Sequence, residues 1–165
     1  MREWVVASGL ISGPDGVLLV QNLRRDGSLD WSTPGGVVEV ADGEAIVDGL
    51  TREVEEETGI TVTSWEGPVY CVEAEAEGLG WRLRVEVHKA VAFQGVPVVG
   101  FDPDGIVVAA RFVDPAACAD HLVGTHPWVC EPLQAWLADP TVVEPLWRYR
   151  LEGSRPSDVV VTRVG

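Results

Sequence analysis

The chain is nearly devoid of lysine. Among 165 residues, Lys89 stands alone beside eleven arginines, and these 12 cations face 26 acids for a formal net charge of −14. So acidic a surface argues against functions built on basic patches, which means a nucleic-acid polymer or an anionic membrane as partner. It allows a small nucleotide if a metal ion neutralises the phosphates. The bias toward arginine is most simply genomic base composition. Cysteine is scarce too. Cys71, Cys118 and Cys130 form no CxxC pair and are odd in number. They read as reduced thiols, which implies a cytoplasmic protein. Long apolar runs are missing: the opening MREWVVASGLISGPDG is too short for a signal peptide or a membrane span. There is no internal repeat and no low-complexity segment. With 46% hydrophobic residues the chain reads as a single domain, 1–165, able to bury a real core.

What the sequence does have is concentrated between Gly36 and Ile60, GVVEVADGEAIVDGLTREVEEETGI. Its second half reads as one helix. Glu53, Glu56 and Glu57 follow at spacings of three and four, so they are neighbours on its surface, within an arc of about 100°. Three like charges that close repel unless a cation joins them. Oxygen-only ligands suit Mg²⁺ or Mn²⁺ that also grips a phosphate. Ile46, Leu50 and Val54 form an apolar stripe beside the acids, so the helix is half sunk in a core with its acids at the lip. Gly49, one turn before Glu53, costs about 1 kcal/mol in a helix interior relative to alanine, which points to close approach of another group. Gly59 follows the last turn as a C-cap. Upstream, the turn Pro34-Gly35-Gly36 offers a backbone carbonyl to the same metal.

Arg52-Glu53-Val54-Glu55-Glu56-Glu57-Thr58-Gly59-Ile60 resembles the second half of the Nudix box. Glu44, eight residues before Arg52, matches its first glutamate, and Trp31 with Pro34-Gly35-Gly36 resembles its lead-in. One departure stands out. Seven residues separate Gly36 from Glu44 where the family has five, an insertion of two around Val40 to Asp42. It bears on the reach of the Gly36 carbonyl and on Glu39, not on the helix.

The resemblance implies an α+β fold, an α-β-α sandwich with a mixed twisted sheet between helices. It implies metal-dependent hydrolysis of a pyrophosphate bond in a nucleoside diphosphate linked to X. A nucleoside triphosphate, oxidised ones included, is the first expectation. ADP-ribose, a nucleotide sugar or a dinucleoside compound is the alternative. A non-catalytic nucleotide-binding regulatory domain is a third reading, which loss of an acid at 53, 56 or 57 would mark; all three acids are present. The implied metal ligands are Glu53, Glu56 and Glu57 with the Gly36 carbonyl. The implied general base is Glu53 or, second, Asp104, from a loop where such proteins often carry one more acid. Arg52 is expected to pair with Glu44 and pin the loop onto the helix, pointing off the acidic arc. Glu55 points away.

Outside this stretch, residues 3–12 and 16–23 read as a hairpin around Gly13-Pro14-Asp15-Gly16. Arg24 and Arg25 follow at a strand end, where they would hold a phosphate or a base, or simply be solvated. Residues 31–38 read as a short strand broken by the glycine pair. Residues 61–75 form a strand kinked at Gly67-Pro68, and residues 81–93 a half-buried one with Arg82, Arg84, Glu86 and His88 on its polar face. Arg82 and Glu86 are substrate-binding candidates if that face meets the cleft. Asp102-Pro103-Asp104-Gly105 is a turn. Asp114 caps a short helix to about Leu122, and residues 126–138 form a second helix with Trp128, Val129, Leu133, Trp136 and Leu137 inward. Cys118, His121, His126 and Cys130 are also weighed as a zinc set, but they lack the separated pairs of structural sites. The tail, about 142–165, reads as a C-terminal hairpin that extends the sheet or pairs with a second copy in a homodimer.

Overall fold

The computed structural model describes residues 1–165. In chain order the first half holds β1 (Arg2–Leu10), β2 (Ser12–Gly13), β3 (Gly16–Leu23), β4 (Leu29–Ser32), β5 (Gly35–Val37) and α1 (Ile46–Thr58). The second half holds β6 (Thr61–Ala76), β7 (Trp81–Gln94), β8 (Val107–Val113), α2 (Cys118–His121), α3 (Pro127–Ala138), β9 (Leu146–Glu152) and β10 (Val160–Arg163). Six strands form one sheet in the order β10-β9-β6-β7-β1-β5, while β3 pairs with β2, β4 and β8 in a second. The larger sheet is mixed: β1 runs parallel to β7 and β6 parallel to β9.

Two apolar clusters lie on either side of these sheets. Leu50, Val54 and Ile60 of the α1 region pack with Ala7, Ile11 and Leu18 in one. Leu19, Val72, Trp128, Leu133, Trp136, Trp147 and Tyr149 pack in the other, under α2 and α3. The sheets are therefore sandwiched between α1 and the α2–α3 pair, as expected. No helix is long and apolar enough to cross a membrane.

Three local expectations differ from the structure. The first hairpin is reduced to Ser12–Val17 and Gly13–Gly16, because both edges of β1 are already used, by β7 and β5. Buried Ile11 carries the chain from one sheet to the other, with its carbonyl accepting from the Leu18 N–H at 2.9 Å. The break in the 31–38 strand falls at Thr33-Pro34, and the glycine pair lies inside β5. Gly35 there has φ +153°, and a Cβ on it would run into the Ala7 carbonyl. The helix after Asp114 begins as a 3-10 turn, Pro115–Ala117, with the Asp114 carboxylate accepting from the Ala116 N–H at 2.9 Å.

The kink in β6 is present as a register shift against β7 between Glu66 and Tyr70. The tail extends the sheet: β9 adds to β6 and β10 to β9, and Trp147, Tyr149 and Leu151 become core.

Candidate active site

Helix α1 ends where its sequence says it should. Gly59 adopts a left-handed conformation at φ 74°, and its N–H closes on the Glu55 carbonyl. The apolar stripe fixes the helix's rotation: Leu50 and Val54 are fully buried. The acids then emerge in a graded row. Glu56 is the most open, with 29% of its side chain exposed, Glu53 has 15%, and Glu57 is buried. Glu55 faces solvent.

The glycine pair of β5 lies against these acids. The Gly35 N–H donates to Glu57 Oε1 at 2.8 Å. A Cβ on Gly36 would stand 2.7 Å from the Glu53 carboxyl carbon. Only a residue without a side chain lets that carboxylate approach the strand so closely. The lead-in glycines and the helix acids are thus one constructed pocket.

Burial pushes the Glu57 carboxyl up to about 8, despite the Gly35 hydrogen bond that opposes it, and the nearby Glu53, Asp102 and Glu56 charges add to the rise. Burial also raises Glu53, an effect that Arg52 partly offsets and that Glu56 and Asp104 reinforce. Acids held together against desolvation and mutual repulsion make this row a candidate functional site.

The loop ahead of α1 is held as the spacing implies. Arg52 forks onto Glu44, Nε to Oε2 at 3.0 Å and Nη2 to Oε1 at 3.1 Å. Glu44 Oε1 also accepts from the Glu39 N–H at 3.1 Å. The two extra residues are absorbed in one exposed 3-10 turn, Val40–Asp42, closed by left-handed Gly43. Gly49 is the close approach expected: a Cβ there would lie 2.9 Å from Glu44 Oε1. Arg52, however, does not point off the acidic arc. Its Nη1 donates to Glu53 Oε1 at 3.0 Å and to Glu56 Oε2 at 3.4 Å. A long side chain on a helix reaches neighbours that a Cβ direction alone excludes. The Glu44 carboxylate, as the leading cause, drives the Arg52 guanidinium further up.

The donor set fits a hard divalent cation, being oxygen only and partly desolvated. No three acids converge on one point as they stand. Arg52 holds Glu53 and Glu56, and Gly35 holds Glu57.

The other sequence candidates divide. Asp104 lines the cleft and Asp102 beside it is a turn former, accepting from the Asp104, Ile106 and Val107 N–H groups. Arg24 lines the cleft but is bound to Asp30, Nε to Oδ2 at 2.7 Å. Arg25, Arg82 and Glu86 are not brought in. Arg82 pairs with Glu3 and Glu75, and Glu86 with Arg84. It is the apolar face of β7, through Leu83, that borders the cleft. The four residues weighed for zinc have separate surroundings. The Cys118 and Cys130 thiols contact the Val113 and Thr125 carbonyls, His121 Nδ1 bonds the Ala117 carbonyl, and His126 stacks on Trp128.

Several cleft residues went unread in the sequence. Asn22 is 5% exposed and donates to Asp30 at 3.0 Å and to Ser32 at 2.9 Å. Its signal was there, a single amide near the end of the apolar run VLLVQNL. Burial pushes Asp30 up, but the Arg24 and Asn22 hydrogen bonds outweigh it and leave the carboxyl below its usual range. His126 and Trp128, at the start of α3, close the cleft with rings 4.1 Å apart and 7° from parallel. Burial lowers the imidazole's affinity for a proton.

A family model for the NUDIX domain matches residues 2–123. The 8-oxo-dGDP phosphatase NUDT18 of Mus musculus is 33% identical over 78 residues, which are 47% of this chain and 22% of that protein. Its Homo sapiens counterpart is 36% identical over 78 residues. The match spans 22% of the length of these curated relatives. Among solved structures, the MutT NUDIX hydrolase from Burkholderia pseudomallei has TM-score 0.59 at 24% identity, over 70% of this chain and 86% of that one. The E. coli ORF135 protein has TM-score 0.64 at 22% identity, over 86% and 96%. The MutT protein from Bacillus halodurans has TM-score 0.63 at 20% identity, over 97% of each. At these identities the likeness of the structures is one of fold.

Proposed function

We propose that this chain, which belongs to the NUDIX family over residues 2–123, hydrolyses a pyrophosphate bond in a nucleoside diphosphate linked to X, with nucleoside triphosphates, oxidised ones included, as its first substrates. The observation that carries the reading is the row Glu53, Glu56 and Glu57 set against Gly35-Gly36, with two of the three carboxylates desolvated enough to be raised. The activity on an oxidised guanine nucleotide named for NUDT18 supports the substrate class.

Glu53, Glu56 and Glu57 would hold Mg²⁺ or Mn²⁺, with the Gly36 carbonyl as a further oxygen. When bound, the ion neutralises charge on the phosphate oxygens and lowers the barrier to attack by water. Glu53, at the half-buried lip of the cleft, accepts the proton of the attacking water. Asp104, from the opposite loop, is the second acceptor in reach of the cleft. One bridging P–O bond breaks, and the water oxygen joins the attacked phosphorus. Arg52, itself held by Glu44, sets the positions of the Glu53 and Glu56 carboxylates. The partner is a small nucleotide, since the net charge of −14 opposes polymer and membrane partners, and the three free thiols suit a cytoplasmic home.

A phosphate-release screen with Mg²⁺ tests this. It covers common and oxidised nucleoside di- and triphosphates, ADP-ribose, nucleotide sugars and dinucleoside polyphosphates, with Glu56→Gln as the blank. Turnover of nucleoside triphosphates that the blank lacks is the expected result. Binding of nucleotides without turnover of any compound would reduce the chain to a nucleotide-binding domain.

A further inference from the structure

In the buried half of β1, from Ala7 to Leu10, Ser8 is the one polar side chain. It is 8% exposed and shares its face of the strand with Val6 and Leu10. A hydroxyl in such a place needs a partner. Ser8 Oγ lies 2.5 Å from Thr33 Oγ1 and 3.5 Å from the Pro34 carbonyl oxygen. Strand pairing sets Ser8 opposite Gly35, so the couple stands beside the turn into the glycine pair. Both residues line the cleft that holds the acids.

Proton counting gives the couple a direction. Each hydroxyl has one hydrogen to donate. The Pro34 carbonyl already accepts from the Gly9 N–H at 2.9 Å, and a hydroxyl 3.5 Å away is a poor second donor to it. The Ser8 hydrogen therefore goes to Thr33, the near partner. Thr33 Oγ1 has no other bond within the protein. Its own hydrogen is left over, on a half-buried side chain at the cleft wall. Neighbouring donors are already spent. Asn22 gives its amide hydrogens to Asp30 and Ser32, Arg24 is bound to Asp30, and Arg52 to the glutamates. The cleft thus has a hydroxyl donor that the fold leaves unused, backed by a buried hydroxyl that occupies one of its lone pairs and so limits where its hydrogen can point.

We propose that Thr33 donates a hydrogen bond to an acceptor oxygen of the substrate, and that Ser8 is the positioning residue that aims it. Thr33 lies two residues before Gly35, whose N–H holds Glu57, a separation of about 7 Å in extended chain. Within that reach of the acids lie the phosphates of a bound nucleotide and the sugar next to them, so the acceptor is an oxygen of one or the other. The inference rests on the pyrophosphohydrolase reading for its substrate class.

The test reads affinity first. Wild type, Thr33→Val and Thr33→Ser are titrated calorimetrically, with Mg²⁺ present, with a nucleoside 5′-monophosphate, its 2′,3′-dideoxy counterpart and inorganic pyrophosphate. Thr33→Val, which keeps the shape and removes the hydroxyl, is expected to weaken the monophosphate by about tenfold, the scale of one hydrogen bond, and Thr33→Ser to restore it. A loss that extends to pyrophosphate assigns a phosphate oxygen. A loss confined to the monophosphate that carries sugar hydroxyls assigns one of these. An equal loss with both monophosphates and none with pyrophosphate would place the acceptor on the base and overturn the assignment. Unchanged affinities in Thr33→Val, with or without a lower Tm, would leave the couple a packing contact and overturn it as well.

Ser8 is tested by a double-mutant cycle on the same affinity. Ser8→Ala should cost less than Thr33→Val and should cost nothing further once Val stands at 33; strictly additive losses refute the aiming role. Nucleotide binding without hydrolysis would count against the hydrolase reading alone, because the affinity ratios still decide the role of Thr33. A wild type that binds none of the three ligands overturns the proposal outright.

Discussion

Glu57 is a carboxyl group in a place that disfavours its charge. It is 7% exposed, one backbone N–H supports it, and three other acids oppose it. Its proton affinity rises from an ordinary value near 4.5 to about 8. The folded state then binds this proton more tightly than the unfolded chain. Its contribution to stability is fully present below about pH 4.5 and is lost as pH rises through about 8. The metal-free protein should show this as a Tm falling across that window, and Mg²⁺ should raise Tm more at pH 8 than at pH 6, because the ion replaces a proton that is already leaving. Glu57→Gln should flatten the metal-free profile. Thermal scans at several pH values with a chelator and with Mg²⁺ check this: a metal-free wild-type profile as flat as the variant's would refute the raised proton affinity of Glu57, and an equal Mg²⁺ effect on Tm in both would remove Glu57 from the metal set. Glu56 gives the complementary test. It is more open and is bonded only by Arg52 Nη1 at 3.4 Å. Glu56→Gln should keep the fold and lower turnover by orders of magnitude. Near wild-type rates at saturating Mg²⁺ would show that the acid is not a ligand.

At the scale of the element, α1 and its preceding loop form a single device. Arg52 ties Glu44 to the helix with two bonds and holds the Glu53 and Glu56 carboxylates with its remaining nitrogen. Arg52→Ala should lower both Tm and activity. Arg52→Lys should recover little, because an ammonium cannot fork onto both Glu44 oxygens; an unchanged Tm in the Ala variant would sink the pinning role. Gly49 makes a sharper case. Glycine to alanine in a helix interior ordinarily stabilises by about 1 kcal/mol. Here the new Cβ would meet Glu44 Oε1 at 2.9 Å and Val38 Cγ1 at 3.0 Å. Gly49→Ala is expected to destabilise and to lower activity by displacing Glu44, and a rise in Tm with activity intact would refute that packing.

The same element shows what a sequence can disclose. Acid spacing, apolar stripe and C-cap are local, so α1 and the Arg52–Glu44 partnership were legible. The reach of Arg52 over Glu53 and Glu56 was not, since it depends on a rotamer. The cleft's far wall was hidden for a different reason. Whether the polar or the apolar face of β7 borders the cleft depends on its parallel pairing with β1, a contact between residues about 80 apart. Alternation identifies two faces and leaves their surroundings unassigned, so Arg82 and Glu86 were candidates where Leu83 is the lining residue.

On the scale of the whole molecule, the family match stops at residue 123 while the core does not. Leu133 and Trp136 of α3, and Trp147, Tyr149 and Leu151 of β9, complete the cluster built on Leu19, Val72 and Val87. β9 lies parallel to β6, and the Tyr149 hydroxyl donates to Glu131 Oε2 at 2.6 Å, which binds the tail to α3. α3 in turn brings His126 and Trp128 to the cleft. The tail therefore acts on the site through the helix that closes it. Burying Trp147, Tyr149 and Leu151 contributes on the order of 1.5–3 kcal/mol each, comparable in sum to the total stability of a typical domain, about 5–15 kcal/mol. A chain ending at Pro140 should thus lose cooperative melting, whereas one ending at Ser154, which keeps β9 and loses only β10, should melt cooperatively at a lower temperature. Calorimetry of the two truncations decides between them. If the shorter one melts as sharply as the full chain, the residues before β9 hold the sandwich by themselves, and α3 does not need the tail to close the cleft.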